Sequence, residues 1–226
     1  MKDKKIVIIG GSSGIGASLK KMLQEAGAEV STYSRSQEGE QHLDVTSDFD
    51  EIKDLPDHID GLVYCPGTIN LKPFHRFKKE DFQGDFEINV LGAVKVLQAC
   101  LKSLKKSGSS SVVLFSTVAV QTGLGFHASI ASAKGAVEGL TRSLAAEWAA
   151  SRIRVNAVAP SLTDTPLASA LLSSDEKKEG AKRRHPLSRY GTSEDIASAA
   201  FYLLSEDSSW MTGQVLKVDG GMSALR

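Results

Sequence analysis

"KIVIIGGSSGIG" runs from Lys5 to Gly16 and changes character halfway. Lys5-Ile6-Val7-Ile8-Ile9 is a short β-branched run that stops at glycine, the profile of a strand buried on both faces. The next seven residues, Gly10 to Gly16, hold four glycines and two serines. "GASLKKMLQEAGAEV" follows, with Leu19, Met22, Leu23 and Ala26 at helical spacing and Gly27 as the expected C-cap. Strand, glycine turn and helix in that order suit a diphosphate: glycines let backbone amides approach closely, and the helix start carries positive charge. Gly10, Ser12, Ser13, Gly14, Ile15 and Gly16 are the candidate cradle for a dinucleotide. A purely structural turn is the alternative.

Further along, "EVSTYSR" reads as a second strand and "GLVYCPG", Gly61 to Gly67, as a third. "DFEINVLGAVKVLQACLKSLKK" is a long helix, apolar on most of its circumference. "SSVVLFST", "SAKGAVEGLTRSLAAEWAA" and "IRVNAVAP" read as strand, helix and strand. "SEDIASAAFYLLSED" is an amphipathic helix with Ser193 as its N-cap, and "GQVLKVDGG" supplies the closing strand. Alternation without repeats or Pro/Ser-rich linkers predicts one α/β domain over residues 1–226. Its expected architecture is a Rossmann-type doubly wound parallel sheet of about seven strands, with helices on both faces and a ligand crevice at the strands' carboxyl ends.

Composition narrows the function classes. The 226 residues are 41% hydrophobic and 24% charged, with Lys+Arg and Asp+Glu equal at 27. Zero net charge gives no reason to expect nucleic acid or an anionic membrane as partner. Two cysteines, Cys65 and Cys100, fit a reducing compartment rather than a disulfide framework. The apolar run near the N-terminus is too short for a signal peptide, so a cytoplasmic protein with a small-molecule substrate is expected. No metal site is expected.

These motifs resemble the short-chain dehydrogenase/reductase family, nearly end to end. Gly10, Gly14 and Gly16 match its GxxxGxG, Asn89 in "INVLGA" its mid-chain asparagine, and "RIRVNAVAPSLTDT" its strand-six signature. "RHPLSRYGTSEDIASAAFYLLSEDSSWMTGQVLKVDGG" is similar to its C-terminal quarter. The resemblance implies a nicotinamide cofactor, contacted by Gly67, Lys134, Pro160, Thr163 and Thr165, with Asp44 and Val45 at the adenine. At the end of the second strand an acid favours NAD and an arginine suits a 2′-phosphate. Ser34 and Arg35, with Ser12 and Ser36 as extra donors, therefore point to NADP(H) over NAD(H). The chain from Arg35 to Gly61 looks short for the family, with the third helix trimmed.

The resemblance also implies Asn89, Thr117 and Lys134 as catalytic positions, but Ile130 stands where the family carries its acid/base tyrosine. An alkyl side chain can neither give nor take a proton. His127, seven residues before Lys134, resembles the Tyr-x6-Lys spacing of the enoyl-acyl carrier protein reductases and is the candidate replacement, as base or neutral donor. A nearby ammonium disfavours its imidazolium. Tyr64 and Tyr190 are secondary hydroxyls. Tyr64-Cys65-Pro66-Gly67 replaces the family's Asn-Asn-Ala-Gly. Two functions follow: hydride transfer between NADP(H) and a carbonyl/alcohol or activated alkene, or an NADP(H)-binding sensor or scaffold with little turnover. In "TDTPLASALLSSDEKKEGAKRRHP", Leu167, Leu171 and Leu172 are candidate pocket residues and the charges a solvated face. Surplus apolar surface on the two long helices, with Leu144 and Trp148 at the contact, predicts a homo-oligomer, tetramer or dimer.

Overall fold

The structure is a computed structural model that describes residues 1–35 and 41–225; Ser36 lies outside them. Seven strands form one sheet: β1 (Lys5–Ile9), β2 (Glu29–Ser34), β3 (Gln41–His42), β4 (Gly61–Tyr64), β5 (Ser110–Phe115), β6 (Ile153–Pro160) and β9 (Val215–Val218). Their order is β3-β2-β1-β4-β5-β6-β9, and every pairing is parallel. The order reverses between β2-β1 and β4, which opens a crevice above the carboxyl end of β1. A small second pairing joins β7 (Thr163–Asp164) to β8 (Gly191–Thr192).

Strand alternation sends successive side chains to opposite faces, and each face is buried under helices. Val7, Ile9, Leu62, Val112 and Val155 pack with α3 (Gly92–Lys106) and α5 (Ala128–Trp148). Ile6, Ile8, Val63, Val113 and Val158 pack with α1 (Gly14–Glu25) and α7 (Ser193–Leu204). The expected doubly wound α/β domain is therefore the observed one. β4, β5 and β6 are buried on both faces mainly by Val, Leu and Ala, and their buried polar residues Ser110, Ser111 and Asn156 are hydrogen-bonded.

Several boundaries differ from expectation. The N-cap of α7 is Thr192, whose hydroxyl receives the Asp195 amide while the Asp195 carboxylate receives the Thr192 amide; Ser193 is already helical. Gly27 follows the end of α1 with φ of +81°, so that Ala28 N–H reaches Leu23 O, a left-handed turn glycine takes most cheaply. No helix lies between β3 and β4 among the described residues, as the trimmed segment implied. The long helix expected over Asp85–Lys106 is instead α2 (Lys79–Phe86), a π-helical turn over Glu87–Leu91, and then α3. Trp148 is 6% exposed within the core, so it offers no surface to a second subunit; Leu144 is half-buried against that core. No helix among the described residues is long and apolar enough to cross a membrane.

Candidate active site

The crevice is a cavity of about 980 Å³ that runs across the carboxyl ends of β2, β1, β4, β5 and β6. At its centre lies the start of α1. Ser13 is the N-cap in extended conformation and makes no side-chain cap, and no acidic residue occupies the first turn. The first-turn amides therefore keep their hydrogen-bonding capacity for an anion. Gly16 is sterically required, since a Cβ there would sit 2.1 Å from the carbonyl oxygen of Gly10, and Gly14 takes a left-handed φ of +52° that glycine adopts most cheaply. Gly10, Ser12, Ser13, Gly14, Ile15 and Gly16 all line the cavity.

One end of the cavity is walled by Ser34, Arg35, Asp44 and Val45. Arg35 is exposed just past β2. Asp44 accepts from the amide and the hydroxyl of Thr46, at 2.9 and 2.7 Å, and these bonds hold its carboxyl below the usual range, helped by Arg35. Asp44 is the sole acidic side chain among the described residues that line the cavity.

At the other end the wall comprises Gly67, Thr117, His127, Ile130, Lys134, Pro160, Thr163 and Thr165. Lys134 is 8% exposed, and burial lowers its pKa from 10.5 to about 8, while Cys65 and Asp85 pull it upward. Its ammonium makes no hydrogen bond to any described residue. Thr117 Oγ1 accepts the Ala119 amide at 3.3 Å, which leaves its O–H to point a hydrogen at a ligand. The neighbouring Ser116 is committed instead, donating to the buried Glu138 carboxylate at 2.8 Å. His127 is half-buried, and its Nδ1 lies 2.7 Å from Gly125 O. A carbonyl only accepts, so Nδ1 carries the hydrogen and the neutral ring's Nε2 is an acceptor. Ile130 is 5% exposed and lies on the cavity wall, one turn before Lys134.

Asn89 does not line the cavity; it stands directly behind it. The π-turn turns it inward, where its amide donates to Asp85 O at 2.7 Å and Thr68 Oγ1 at 2.9 Å. Single-turn π segments recur at functional sites because the extra residue redirects one side chain. Asn89 Oδ1 is buried and has no partner. It lies 3.2 Å, and Lys134 Nζ 3.6 Å, from the point where a Cβ on Gly67 would be. An orphaned acceptor and an unpaired ammonium around one glycine fit a small polar bridge such as water.

Sequence reasoning missed the base of this corner. Asp85 is fully buried and accepts from Thr68 Oγ1, Asn70 Nδ2 and Ser129 Oγ at 2.5, 2.6 and 2.5 Å. Three donors and a nearby ammonium solvate a charge that would otherwise be costly to bury. Asp85→Asn retains one acceptor oxygen and strands a donor, so it is expected to lower unfolding stability by about 2–3 kcal/mol. Urea unfolding of both proteins measures it; equal midpoints would mean the network stabilises nothing.

The secondary hydroxyls are spoken for or distant. Tyr64 donates to Ile88 O at 2.5 Å, and burial raises its pKa. Tyr190 does not line the cavity. Cys65 does, but burial pushes its thiol up to about 12, so it is no nucleophile at neutral pH. Leu167 and Leu171 line the cavity, whereas Leu172 is buried away from it. The charged stretch is not wholly a solvated face: Lys177 and Arg184, at either end of α6 (Asp175–Arg183), reach the cavity rim. Two further lining residues that sequence reasoning passed over are Ser161 and His185.

Known proteins are similar to this chain in sequence and fold. Residues 40–223 match the family described as enoyl-(acyl carrier protein) reductase. A tropinone reductase homolog of Arabidopsis thaliana is 32% identical over 246 residues, covering 99% of this chain and 94% of that protein. A short-chain type dehydrogenase/reductase from Mycobacterium ulcerans superposes with a TM-score of 0.90 at 29% identity, covering 100% of this chain and 92% of the other. ElxO, solved with NADP bound, superposes with a TM-score of 0.88 at 28% identity, covering 98% and 99%.

Proposed function

The chain belongs to the short-chain dehydrogenase/reductase family, and from that premise we propose an NADP-dependent oxidoreductase that moves a hydride between the nicotinamide and a carbonyl/alcohol or an activated alkene. The observation that carries this reading is one continuous cavity with an open helix start at its centre, Arg35 at one end and Lys134 with Thr117 at the other. The cofactor fits the residues: a glycine cradle for the diphosphate, with no Cβ tolerated at Gly16, and an orphaned Asn89 Oδ1 beside the buried ammonium. Arg35 supports NADP(H), since a guanidinium pairs with a 2′-phosphate and repels nothing there. When bound, the cofactor supplies or accepts the hydride.

The chain's own groups do the rest. Ser12, Ser13 and the amides of Gly14 to Gly16 hold the diphosphate, with Thr165 packed 3.4 Å from where a Cβ on Gly14 would be. Lys134 hydrogen-bonds the ribose, and Asn89 completes a proton path behind it. Thr117 donates to the substrate oxygen. His127 Nε2 is an acceptor on the α5 side for a hydrogen bond that orients the substrate. Ile130 contributes apolar contact only. The protein works as a homo-oligomer, tetramer or dimer, in the cytoplasm.

The test is cofactor consumption over ketones, secondary alcohols, quinones and enoyl thioesters, with NADP(H) and NAD(H) compared. NADP(H) turnover on at least one class is expected. Arg35→Ala is expected to raise the NADP(H) KM about tenfold with NAD(H) little changed, the scale of about 1.4 kcal/mol for one exposed charge-assisted contact. His127→Ala is expected to lower turnover about tenfold. A protein that binds NADPH but turns over nothing would leave the sensor reading in its stead.

A further inference from the structure

Ser161 and His185 are 24 residues apart in sequence and meet in the cavity wall. Ser161 follows β6 directly; Val118 N–H bonds Pro160 O at 3.1 Å, so the serine stands beside the strand end that carries Thr117. Ser161 Oγ is 2.7 Å from His185 Nε2, and His185 Nδ1 is 2.7 Å from Ala181 O. The Ala181 carbonyl can only accept, so Nδ1 bears the ring hydrogen. Nε2 is then the acceptor and the serine hydroxyl the donor. Met222 Sδ also lies 3.1 Å from Ser161 Oγ, but a thioether is the weaker acceptor and takes no more than a share of that hydrogen. His185 is 4% exposed and Ser161 half-buried in the cavity wall, where a ligand can reach its hydroxyl. Hydroxyl, base and an orienting carbonyl in sequence are the arrangement that activates a serine.

We propose that Ser161 and His185 are the proton-transfer pair of this active site, taking the position of proton carrier that Ile130 leaves vacant, for a secondary alcohol or its ketone. The proposal rests on the hydride-transfer reading above. In oxidation the alcohol O–H bond breaks and its proton passes to Ser161 Oγ, while the serine's own proton passes to His185 Nε2. The carbinol carbon loses its hydrogen as hydride, two electrons with it, to oxidised nicotinamide, and becomes the carbonyl. Reduction reverses each transfer and starts from His185 protonated at both nitrogens. Neutral His185 is thus the competent form for oxidation and charged His185 for reduction.

The charges facing the pair come from three sides. Arg184 and Lys177 line the cavity from the α6 side. Asp219, in the C-terminal turn, has its carboxylate taken by the amides of Gly221 and Ser223. Lys134 lies across the cavity on α5.

Purified holoprotein would be assayed as wild type, Ser161→Ala, His185→Gln and His127→Ala, with kcat followed against pH for an alcohol and its ketone. Ser161→Ala and His185→Gln are each expected to lower kcat at least 30-fold with unchanged NADPH affinity, against about tenfold for His127→Ala. His185→Gln is also expected to abolish the opposite pH slopes of the two directions. Nitrogen NMR of the unliganded protein gives a readout independent of turnover: the neutral His185 ring should carry its hydrogen on Nδ1, and its Nε2 signal should shift in Ser161→Ala. Wild-type turnover that Ser161→Ala leaves intact, or a neutral His185 ring whose hydrogen sits on Nε2, overturns the pair and leaves the hydride-transfer reading standing. A wild type inert on every class overturns that reading and the pair with it.

Discussion

Lys134→Met is expected to lower kcat/KM by about 10²–10³-fold while making the unliganded protein more stable. The two effects share one cause. Burial of an ammonium without a hydrogen-bonded partner holds its pKa near 8, against 10.5 when unfolded. A cation so placed is available to the ribose and to the developing charge at the reacting oxygen, and it is also a cost the apo fold carries. Between pH 8 and 10.5 the unfolded chain holds more of this proton than the folded chain. Stability therefore rises with pH across that window, and below it the full penalty is present. The shift corresponds to an upper bound of about 3 kcal/mol at pH 7, reduced by whatever Asp85 loses when its neighbouring charge goes. Thermal unfolding of wild type and Lys134→Met from pH 6.5 to 10 measures it. The gap in favour of the variant should shrink as pH rises. A wild type more stable than the variant at pH 7 would mean the ammonium is solvated well enough to have an ordinary pKa.

What was legible in the sequence follows from which forces act locally. The sheet was legible because β1, β4, β5 and β6 are buried on both faces, which favours mostly apolar runs. The glycine loop was legible because a Cβ at Gly16 would clash at 2.1 Å and Gly14 takes a left-handed φ that glycine adopts most cheaply. The π-turn at Glu87–Leu91 was not, since one extra residue in a helical ladder leaves the hydrophobic period nearly unchanged. Yet that turn is what brings Asn89 against Asp85 and Gly67. Trp148 was assigned to a subunit contact because helical spacing shows which residues are apolar, not which of two neighbours covers them. Ser161 and His185 were invisible for a plainer reason. Nothing local marks a serine after β6 or a histidine before Pro186; only the crossover of α6 brings the two side chains within 2.7 Å.

Ile130→Tyr is expected to raise ketone reduction by NADPH, by about 10–10²-fold. Ile130 and Lys134 are one helical turn apart, and both face the cavity, so a phenol at 130 would project toward the same region as the ammonium. There it gains a donor of pKa near 10, lowered by the adjacent cation, where the wild type offers alkyl carbon. General acid help is worth about 10²–10⁴-fold where geometry is right. The lower range applies here because Thr117, Asn89 and Lys134 are positioned while the ring must still be accommodated. Ile130 is 5% exposed, so the larger ring either turns into the cavity or overpacks its helix at about 1–3 kcal/mol. Steady-state kinetics with urea unfolding separates these outcomes. A stable variant that reduces ketones faster would mean the site is complete apart from one proton donor. A stable variant with no gain would mean that the wild-type enzyme already delivers that proton from elsewhere, and combining Ile130→Tyr with Ser161→Ala should then restore part of what Ser161→Ala alone removes.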